Sequence, residues 1–416
     1  MKPASGSTTG SAFDAVIIGA GPAGSTAAIL LARAGWKVAL VEKQAFPRRK
    51  VCGECIAASN LPLLDALGVG AAFDTAAGPA LTEVHLHHGR TGISALLPAA
   101  DNRRHRWGRA LGRETLDTLL RDQACSAGAK LLQPWSLQAL QGGPGDWRCT
   151  VREVGPGTSR WLRTPVCIDA HGSWESLHGA VPQDRVALGP SSLLAFKASF
   201  TGAALREGGI NVLALDGGYG GMVQGDRQIT TLACCIRRDR LDAIRRAAPG
   251  VSAGDAVQAW LSLQCAAVHR ALLGATRQGP WLASGPIRPG SRVLSANGSF
   301  RIGNAAGEAH PILGEGISMA LQSAALLCSH LLPAGRHDGP SAQSRQQALQ
   351  RQYATHWHNT FGPRLRVAAA FAHAASRPWS TTLLVALLRA WPALLTAGAR
   401  WGGKVDAPAI ATPGNR

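Results

Sequence analysis

Residues 13–43, FDAVIIGAGPAGSTAAILLARAGWKVALVEK, constrain the fold more than any other stretch of the chain. Ala15 to Ile18 are all apolar, which is typical of a strand buried on both faces of a parallel sheet. A glycine-rich turn follows, and then a run of alanine and leucine predicts a helix that ends near Gly35. A second apolar strand leads to Glu42. This order predicts a βαβ unit in an α/β domain.

The turn of this unit has the spacing G-x-G-x-x-G, formed by Gly19, Gly21 and Gly24. In such a turn the first glycine permits the tight bend, the second admits a pyrophosphate, and the third allows close helix–strand packing. Pro22 can open the helix without losing a needed donor, and the helix N-terminus attracts phosphate. Glu42, 23 positions after Gly19, is placed to bind ribose hydroxyls. The motif predicts a dinucleotide site but does not separate FAD from NAD.

A second segment with the same character covers residues 299–332. A short strand from Phe300 runs into a turn of small residues, and a loop with His310 and Pro311 follows. A long apolar helix then opens at Gly316. A helix N-terminus at this position would stabilise the negative charge of a reduced flavin, so this segment favours FAD.

Together these motifs resemble the superfamily of para-hydroxybenzoate hydroxylase and geranylgeranyl reductase. In that superfamily a G-D-A-A-G…P…G-x-G-I segment follows the ribityl chain and the isoalloxazine ring, and here it reads GNAAGEAHPILGEGI. The helix at Arg113 resembles the family's R-x-x-L-D helix, and Asp169 stands in a modified D-G motif. FPRRKVCGECI is similar to the P-x-x-K-x-C-G-E stretch of geranylgeranyl reductase-like members. Asn304 replaces the usual Asp, so it would hydrogen-bond the ribityl chain without adding charge.

The motifs and the resemblance imply a set of FAD-binding residues: Gly19, Gly21, Pro22, Ala23, Gly24, Glu42, Lys43, Arg49, Cys52, Arg113, Asp169, Gly303, Asn304, Gly314, Gly316 and Ile317. The resemblance also implies NAD(P)H as a transient reductant, which has no domain of its own in this superfamily. The sequence agrees with this, because it contains only one dinucleotide fingerprint.

The predicted fold class is α/β, or α+β overall, with a Rossmann-like FAD-binding domain made of residues 12–80, 103–185 and 285–335. Stretches of β-branched or alternating apolar residues predict an antiparallel sheet in an inserted substrate domain, residues 81–102 and 186–284. Residues 336–416 predict a helical tail. Its segment 379–401 is strongly apolar but interrupted by Arg389 and Pro392. We expect a helix pair packed on the FAD domain, in preference to a membrane-facing lid.

The net charge of +18 is compatible with nucleic acid, an anionic membrane or an acidic protein as partner. The basic residues are scattered, so we expect a generally basic surface that could meet an acidic carrier protein, and no nucleic-acid groove. The nine cysteines are irregularly spaced, which indicates reduced thiols in the cytoplasm. The N-terminus resembles no signal peptide. No metal site is predicted, because no pair of ligands has suitable spacing backed by further ligands.

Two reactions fit a flavin reduced by NAD(P)H. The first is oxygen transfer by a monooxygenase to a lipophilic aromatic or polyketide-like molecule, free or carrier-bound. The alternative is reduction of a carbon–carbon double bond, as in geranylgeranyl reductases. A dithiol oxidoreductase using Cys52 and Cys55 is a minor alternative, and a flavin-binding protein with a partner role is another. A halogenase is less favoured, because the W-x-W-x-I-P signature of that branch is absent from the sequence.

Four residues are candidates for catalysis: His310, Pro311, Cys52 and Tyr219. His310 is expected near the flavin face, where it would shuttle a proton, although a structural loop histidine fits equally well. Pro311 would lie beside the reacting face. Cys52, with Gly53 and Glu54, would form a loop passing the flavin. Tyr219 could donate a hydrogen bond in the substrate pocket or have a structural role.

Overall fold

A computed structural model describes residues 11–173, 189–296, 298–335, 341–375 and 385–401. Its centre is a six-stranded sheet in which the apolar strand after the N-terminus lies between two parallel neighbours. In spatial order the strands are β20 (Ser295–Ala296), β21 (Ser299–Arg301), β12 (Val166–Asp169), β2 (Ala15–Ile18), β3 (Val38–Val41) and β8 (Lys130–Leu132). All neighbours are parallel except β20 and β21. All six strands lie within the segments predicted for the FAD-binding domain.

Helices cover this sheet and bury its apolar residues. The predicted helix after the glycine turn is α1 (Pro22–Arg33), and it packs with α4 (Arg113–Ser126) and α8 (Gly316–Ala334). By length and composition α8 could span a membrane, but most of it is buried in the protein core. Two short helices, α2 (Leu61–Ala66) and α3 (Gly70–Ala76), complete this side, and single 3-10 turns cover Ala58–Asn60, Gly303–Ala305 and Pro311–Leu313.

Smaller sheets flank the central one. A four-stranded sheet has the order β1 (Ser11–Ala12), β11 (Ser159–Thr164), β10 (Asp146–Glu153) and β9 (Trp135–Gly143). Two pairs join loops: β4 (Cys55–Ile56) with β7 (Arg109–Ala110), and β19 (Gly290–Ser291) with β22 (Gly307–Glu308).

The segments predicted to form the substrate domain contribute to an eight-stranded sheet, which we call the cap sheet. Its order is β17 (Thr276–Arg277), β13 (Leu193–Thr201), β16 (Thr230–Arg237), β15 (Gly218–Gln224), β14 (Gly209–Leu215), β5 (Glu83–His88) and β6 (Thr91–Leu96), with β18 (Leu282–Ile287) also paired to β13. The predicted sheet is antiparallel, but β14 and β5 pair in parallel because residues from two separate insertions meet there. A 3-10 turn covers Asp226–Gln228.

The two faces of the cap sheet have different neighbours. Helices α5 (Arg238–Ala247), α6 (Ala253–Gln264) and α7 (Ala266–Leu272) pack on one face through Leu213, Met222 and Leu232. The opposite face carries Tyr219 and Cys235, which pack with Val51 and Ile312 from loops of the FAD-binding domain. The second face therefore closes over the predicted cofactor site.

The described residues of the C-terminal region are mostly helical, and they form two parts that pack in different places. The first part of the predicted helical tail is a single helix, α9 (Ala342–Ala375), whose Tyr353, Trp357 and Phe361 join the core of the FAD-binding domain. Residues 385–390 are helical, and α10 (Ala393–Trp401) follows. Val385 and Leu388 contact the cap sheet instead of the FAD-binding domain. The expected docking of 379–401 on the FAD-binding domain is therefore wrong for this described part, because the apolar edge of the cap sheet accommodates it.

Candidate active site

The three glycines of the first turn have different surroundings. Gly19 has φ +106°, and a Cβ there would lie 2.5 Å from the carbonyl oxygen of Ala170. A Cβ on Gly24 would lie 1.8 Å from the carbonyl oxygen of Gly19. A Cβ on Gly21 would meet only the guanidinium of Arg48, at 3.6 Å. Packing within the protein thus explains Gly19 and Gly24, whereas Gly21 faces space in which a ligand can approach the backbone.

Glu42, predicted to bind ribose, is buried at the end of β3. One of its oxygens accepts the N–H of Ala20 at 2.9 Å. The other accepts the N–H of Gln44 at 2.8 Å and Nη1 of Arg48 at 3.0 Å. Because a carboxylate has about four acceptor positions, Glu42 can brace the turn and still bind a hydroxyl.

A cavity of about 980 Å³ extends from the glycine turn to the cap sheet and the C-terminal helices. This volume is at the upper end of the range for ligand pockets, as expected for a site that holds a large cofactor and a substrate. Most of the predicted site residues line it: Gly19, Gly21, Pro22, Ala23, Glu42, Lys43, Arg49, Cys52, Arg113, Tyr219, Gly303, Asn304, Pro311, Gly314, Gly316 and Ile317. Gly24, Asp169 and His310 lie behind this wall.

Asp169 has a supporting position instead of a direct one. It is fully buried at the end of β12. Its carboxylate contacts Nδ1 of His171 and lies 3.4 Å from Nε of Arg301. His171 lines the cavity, so Asp169 acts on the site by orienting that neighbour.

Positive charge is concentrated beside the glycine turn. Arg113 donates to both carboxylate oxygens of Asp117, at 2.7 and 2.8 Å, and Arg48 lies 3.6 Å from the same carboxylate. Burial opposes the charge on Arg113, but Asp117 raises its pKa overall. Burial, together with the charges of Arg48 and Arg113, lowers the pKa of Lys50 from 10.5 to about 8. An anionic ligand would relieve this repulsion, which fits the diphosphate of FAD.

The second predicted segment supplies an open helix N-terminus. Gly314 has φ +64° and ends the loop, and a Cβ added to Gly316 would meet no atom within 4 Å. The first turn of α8 therefore presents its backbone N–H groups to the cavity. Nearby, Nδ2 of Asn304 donates to Oγ of Ser173 at 2.9 Å. Ser173 in turn donates to Glu308 at 3.0 Å.

Glu54 joins the FAD-binding domain to the cap sheet. It has the left-handed backbone conformation, φ 61°, and only 7% of it is exposed. One carboxylate oxygen accepts from Nζ of Lys197 and from the N–H of Arg113 at 2.9 Å, and the other accepts from the hydroxyl of Thr231. The loop that was predicted to pass the flavin is thus fixed by Glu54. Cys52 lines the cavity, and its sulfur accepts the N–H of Glu54 at 3.3 Å. Cys52 and Cys55 are both free thiols.

Tyr219 and His310, two separate candidates from the sequence, form a hydrogen-bonded pair. The hydroxyl of Tyr219 lies 2.9 Å from Nδ1 of His310. Tyr219 lines the cavity, and the buried His310 lies behind it. Burial lowers the pKa of His310 to about 4 and raises the pKa of Tyr219. Both groups are therefore neutral near pH 7, so the Tyr219 hydroxyl can donate to Nδ1 of His310 and still accept a hydrogen bond from the cavity.

The buried His310 makes stability depend on pH. Its pKa falls from 6.5 to about 4 on folding, so between these values the unfolded chain binds a proton that the folded protein excludes. This contribution to the free energy of unfolding is complete above pH 6.5 and is lost as pH falls towards 4, by up to about 1.4 kcal/mol per pH unit. The free energy of unfolding can be measured by urea denaturation at several pH values in this range. It should fall less steeply with decreasing pH in His310→Gln than in the wild type. Equal slopes would contradict the assignment.

The part of the cavity formed by the cap sheet and by residues 385–401 is mostly apolar. None of its described lining residues carries a charge. On the neighbouring strands of the cap sheet, several lining residues close to Tyr219 are small: Ala195, Ala214, Gly221 and Ala233. A Cβ on Gly221 would meet only a backbone oxygen of Asn211, at 3.2 Å. The site thus has a cationic end beside the glycine turn and an uncharged end at the cap.

Comparison with known proteins agrees with this geometry. Residues 12–198 match the family model of the FAD binding domain. A 123-residue stretch is 34% identical to the menaquinone reductase of Mycolicibacterium smegmatis, covering 29% of this chain and 28% of that protein. Another stretch, of 53 residues, is 55% identical to the tryptophan 2-halogenase of Chondromyces crocatus, covering 13% of this chain and 10% of that protein. The chain therefore spans less than a third of the length of these relatives.

Solved structures share the whole fold. A geranylgeranyl bacteriochlorophyll reductase-like protein from Thermoplasma acidophilum has a TM-score of 0.73 at 16% identity, covering 97% of this chain and 94% of that one. The myxobacterial chondrochloren halogenase has a TM-score of 0.72 at 19% identity, covering 94% of this chain and 91% of that one. PqsL, a probable FAD-dependent monooxygenase from Pseudomonas aeruginosa, has a TM-score of 0.66 at 18% identity, covering 89% of this chain and 98% of that one.

The fold and the domain match define the class of protein: a flavoprotein with an FAD-binding domain. Residues 12–198 carry this FAD-binding domain, and the chain shares its fold with members of the superfamily that its motifs resemble. The predicted fold class is confirmed, and the domain match agrees with the predicted superfamily.

Proposed function

We propose that the protein is an NAD(P)H-dependent monooxygenase that hydroxylates a lipophilic aromatic substrate. The observation that carries this proposal is the Tyr219–His310 pair in the wall of the cavity, at the end where the lining residues from the cap sheet carry no charge. An aromatic substrate with a hydroxyl group would place its apolar body against the cap sheet and its hydroxyl at Tyr219. Residues that support FAD binding lie at the opposite, cationic end of the same cavity.

FAD, when bound, would supply the oxygen-transfer chemistry, and the chain would supply binding, orientation and hydrogen-bonding groups for the substrate. The overall reaction consumes the substrate, O₂, NAD(P)H and a proton, and it yields hydroxylated product, NAD(P)⁺ and water. Gly21, Arg48 and the N-terminus of α1 would hold the diphosphate. The N-terminus of α8 would face the flavin. The hydroxyl of Tyr219 would accept a hydrogen bond from the substrate hydroxyl while it donates its own hydrogen to Nδ1 of the neutral His310, which would hold the substrate hydroxyl in place.

A second candidate, reduction of a carbon–carbon double bond, is favoured by the loop around Cys52. This loop resembles the geranylgeranyl reductase stretch, and its Cys52 lines the cavity. The same Tyr219 hydroxyl could donate the proton that such a reduction requires. The two reactions differ in oxygen use. Saturation of an alkene consumes only NAD(P)H and a proton, whereas hydroxylation also consumes O₂.

Paired assays separate the two. The FAD-loaded protein would be incubated with NADH or NADPH and either a long-chain alkylphenol or a polyprenyl alkene, with and without O₂. Product with one added oxygen atom, formed only aerobically, supports the proposed hydroxylase. An anaerobic product with two added hydrogens would instead establish the reductase. No product from either, with stable flavin binding, would contradict both.

Tyr219→Phe should lower turnover by about a hundredfold while FAD remains bound, because general acid–base groups contribute at least that much. The chain offers a matched control. Tyr353 is the second buried tyrosine, and its hydroxyl donates to the carbonyl of Arg301 at 2.8 Å, outside the cavity lining. Tyr353→Phe loses a comparable hydrogen bond and should keep wild-type turnover. Equal turnover in Tyr219→Phe and the wild type would exclude Tyr219 from the reaction.

A further inference from the structure

Residues 385–401 and the adjacent end of β6 leave an apolar surface exposed. Leu387 is 43% exposed, Trp391 61% and Leu394 44%. Leu96, at the end of β6, is 69% exposed, and its carbonyl accepts a hydrogen bond from the hydroxyl of Thr396 at 2.7 Å. We call Leu96, Leu387, Trp391 and Leu394 the apolar rim. Several large apolar side chains exposed on one short segment indicate an interaction surface.

The segment that carries the apolar rim also lines the cavity. Val385, Leu388 and Leu395 contribute to the cavity wall. Leu394 belongs to both surfaces, because it lines the cavity and is also 44% exposed. An apolar route therefore leads from the protein surface past Leu394 to the uncharged end of the cavity.

Charge beside the apolar rim identifies the partner. Arg389 and Arg400 are exposed on the same segment, and the whole chain has a net charge of +18. Tryptophan and leucine on a short helical segment with arginine beside them are typical of helices that lie in a membrane interface. An anionic lipid surface matches both the apolar and the cationic component.

We propose that the apolar rim docks on an anionic lipid bilayer and that the substrate enters the cavity from the bilayer past Leu394. The contact is peripheral, because Arg389 and Pro392 interrupt the segment and its helical stretches are short. The substrate route rests on the proposed function, whereas docking does not. An acidic carrier protein fits less well, because it would meet exposed leucine and tryptophan side chains with a charged surface.

Vesicle flotation of the FAD-loaded full chain tests the docking. The probes are vesicles of equal parts phosphatidylcholine and phosphatidylglycerol, and vesicles of phosphatidylcholine alone. The wild type should float with the anionic vesicles, and salt should reduce the bound fraction. The double variant L387Q/W391S should partition about tenfold less, because it removes apolar area that the bilayer buries. R389E/R400E should lose the preference for anionic vesicles.

The chain again provides a matched control. Leu263 on α6 is 86% exposed, and α6 packs on the face of the cap sheet opposite to the one that Val385 and Leu388 contact, so Leu263→Gln should float like the wild type. Leu387 and Trp391 do not line the cavity, so L387Q/W391S should keep its turnover of detergent-dispersed substrate. Its turnover of vesicle-borne substrate should fall in parallel with binding.

Two results would overturn the proposal: no flotation of the wild type with anionic vesicles, or equal flotation of L387Q/W391S. If the protein bound a purified acidic carrier protein but no vesicles, the proposal would also be overturned. The apolar rim would then be assigned to a protein partner. Vesicle binding without turnover of any substrate would refute the proposed function alone. Turnover without vesicle binding would refute the docking alone.

Discussion

Gly21→Asp should fold and yet lose FAD, with affinity at least about a hundredfold lower. A Cβ at this position meets only the guanidinium of Arg48, at 3.6 Å, so the new carboxylate has room and a cationic partner. The new carboxylate would occupy the space that we assign to the cofactor diphosphate. It would also pair with Arg48, the cation that we expect to bind that diphosphate. Like charges brought together in a binding site cost several kcal/mol, which is ample for this loss. The measurement is flavin absorbance per protein after dialysis, with an FAD titration by fluorescence quenching.

Two neighbouring substitutions separate cofactor loss from misfolding. Gly21→Ala adds only a methyl group with space around it, so it should fold normally and bind FAD more weakly than the wild type but better than Gly21→Asp. Gly24→Ala should misfold, because its Cβ would lie 1.8 Å from the carbonyl oxygen of Gly19. Circular dichroism and thermal unfolding of the apo-proteins distinguish these cases. Retention of flavin by a folded Gly21→Asp protein would refute the proposed diphosphate site.

The cofactor end of the site could be predicted because its residues are local in sequence. Gly19, Gly21 and Gly24 act through a turn and helix whose geometry follows from a few neighbouring residues. The predicted β-strands near Ala15 and Val38 and the helix between them are present for the same reason. Tyr219 and His310 were each identified, but their pairing was not, because 91 positions separate them and only tertiary structure brings them together.

Other features escaped prediction because they depend on which apolar surfaces meet. An apolar helix such as 385–390 can pack on either domain, and its sequence does not identify the partner. Gly362 and Pro363 usually interrupt helices, yet α9 continues through them while Phe361 and Leu365 pack in the core. Lys197 did leave a signal: a lysine within the apolar strand LLAFKASF requires a buried anionic partner. The partner, Glu54, lies 143 positions away, so the sequence could not identify it.

Removing the charge of Lys197 should destabilise the folded protein strongly. Lys197 is 3% exposed and Glu54 is 7% exposed, so Lys197→Met leaves a buried carboxylate without its cation, although it keeps two other donors. Breaking a buried ion pair in this way costs about 3–5 kcal/mol. We expect Glu54→Gln to destabilise the protein as well, because it leaves the ammonium group of Lys197 buried without an anionic partner. The measurement is urea denaturation of the apo-protein, in which no FAD contributes to stability.

The double variant E54Q/K197M decides whether the loss comes from the pair itself. The double variant has neither the carboxylate nor the ammonium group, so no charge remains buried without a partner. Its loss in free energy of unfolding should therefore be smaller than the sum of the losses of the two single variants, by at least about 1 kcal/mol. Arg163→Met is the exposed control. Arg163 pairs with Asp146 at 2.7 Å, but both are more than 60% exposed, so its removal should change stability little. Strict additivity of the two single changes would show that Glu54 and Lys197 act independently. Coupling would instead establish that this pair fastens the cap sheet to the loop that carries Cys52, which fixes how the uncharged end of the cavity lies over the cofactor end.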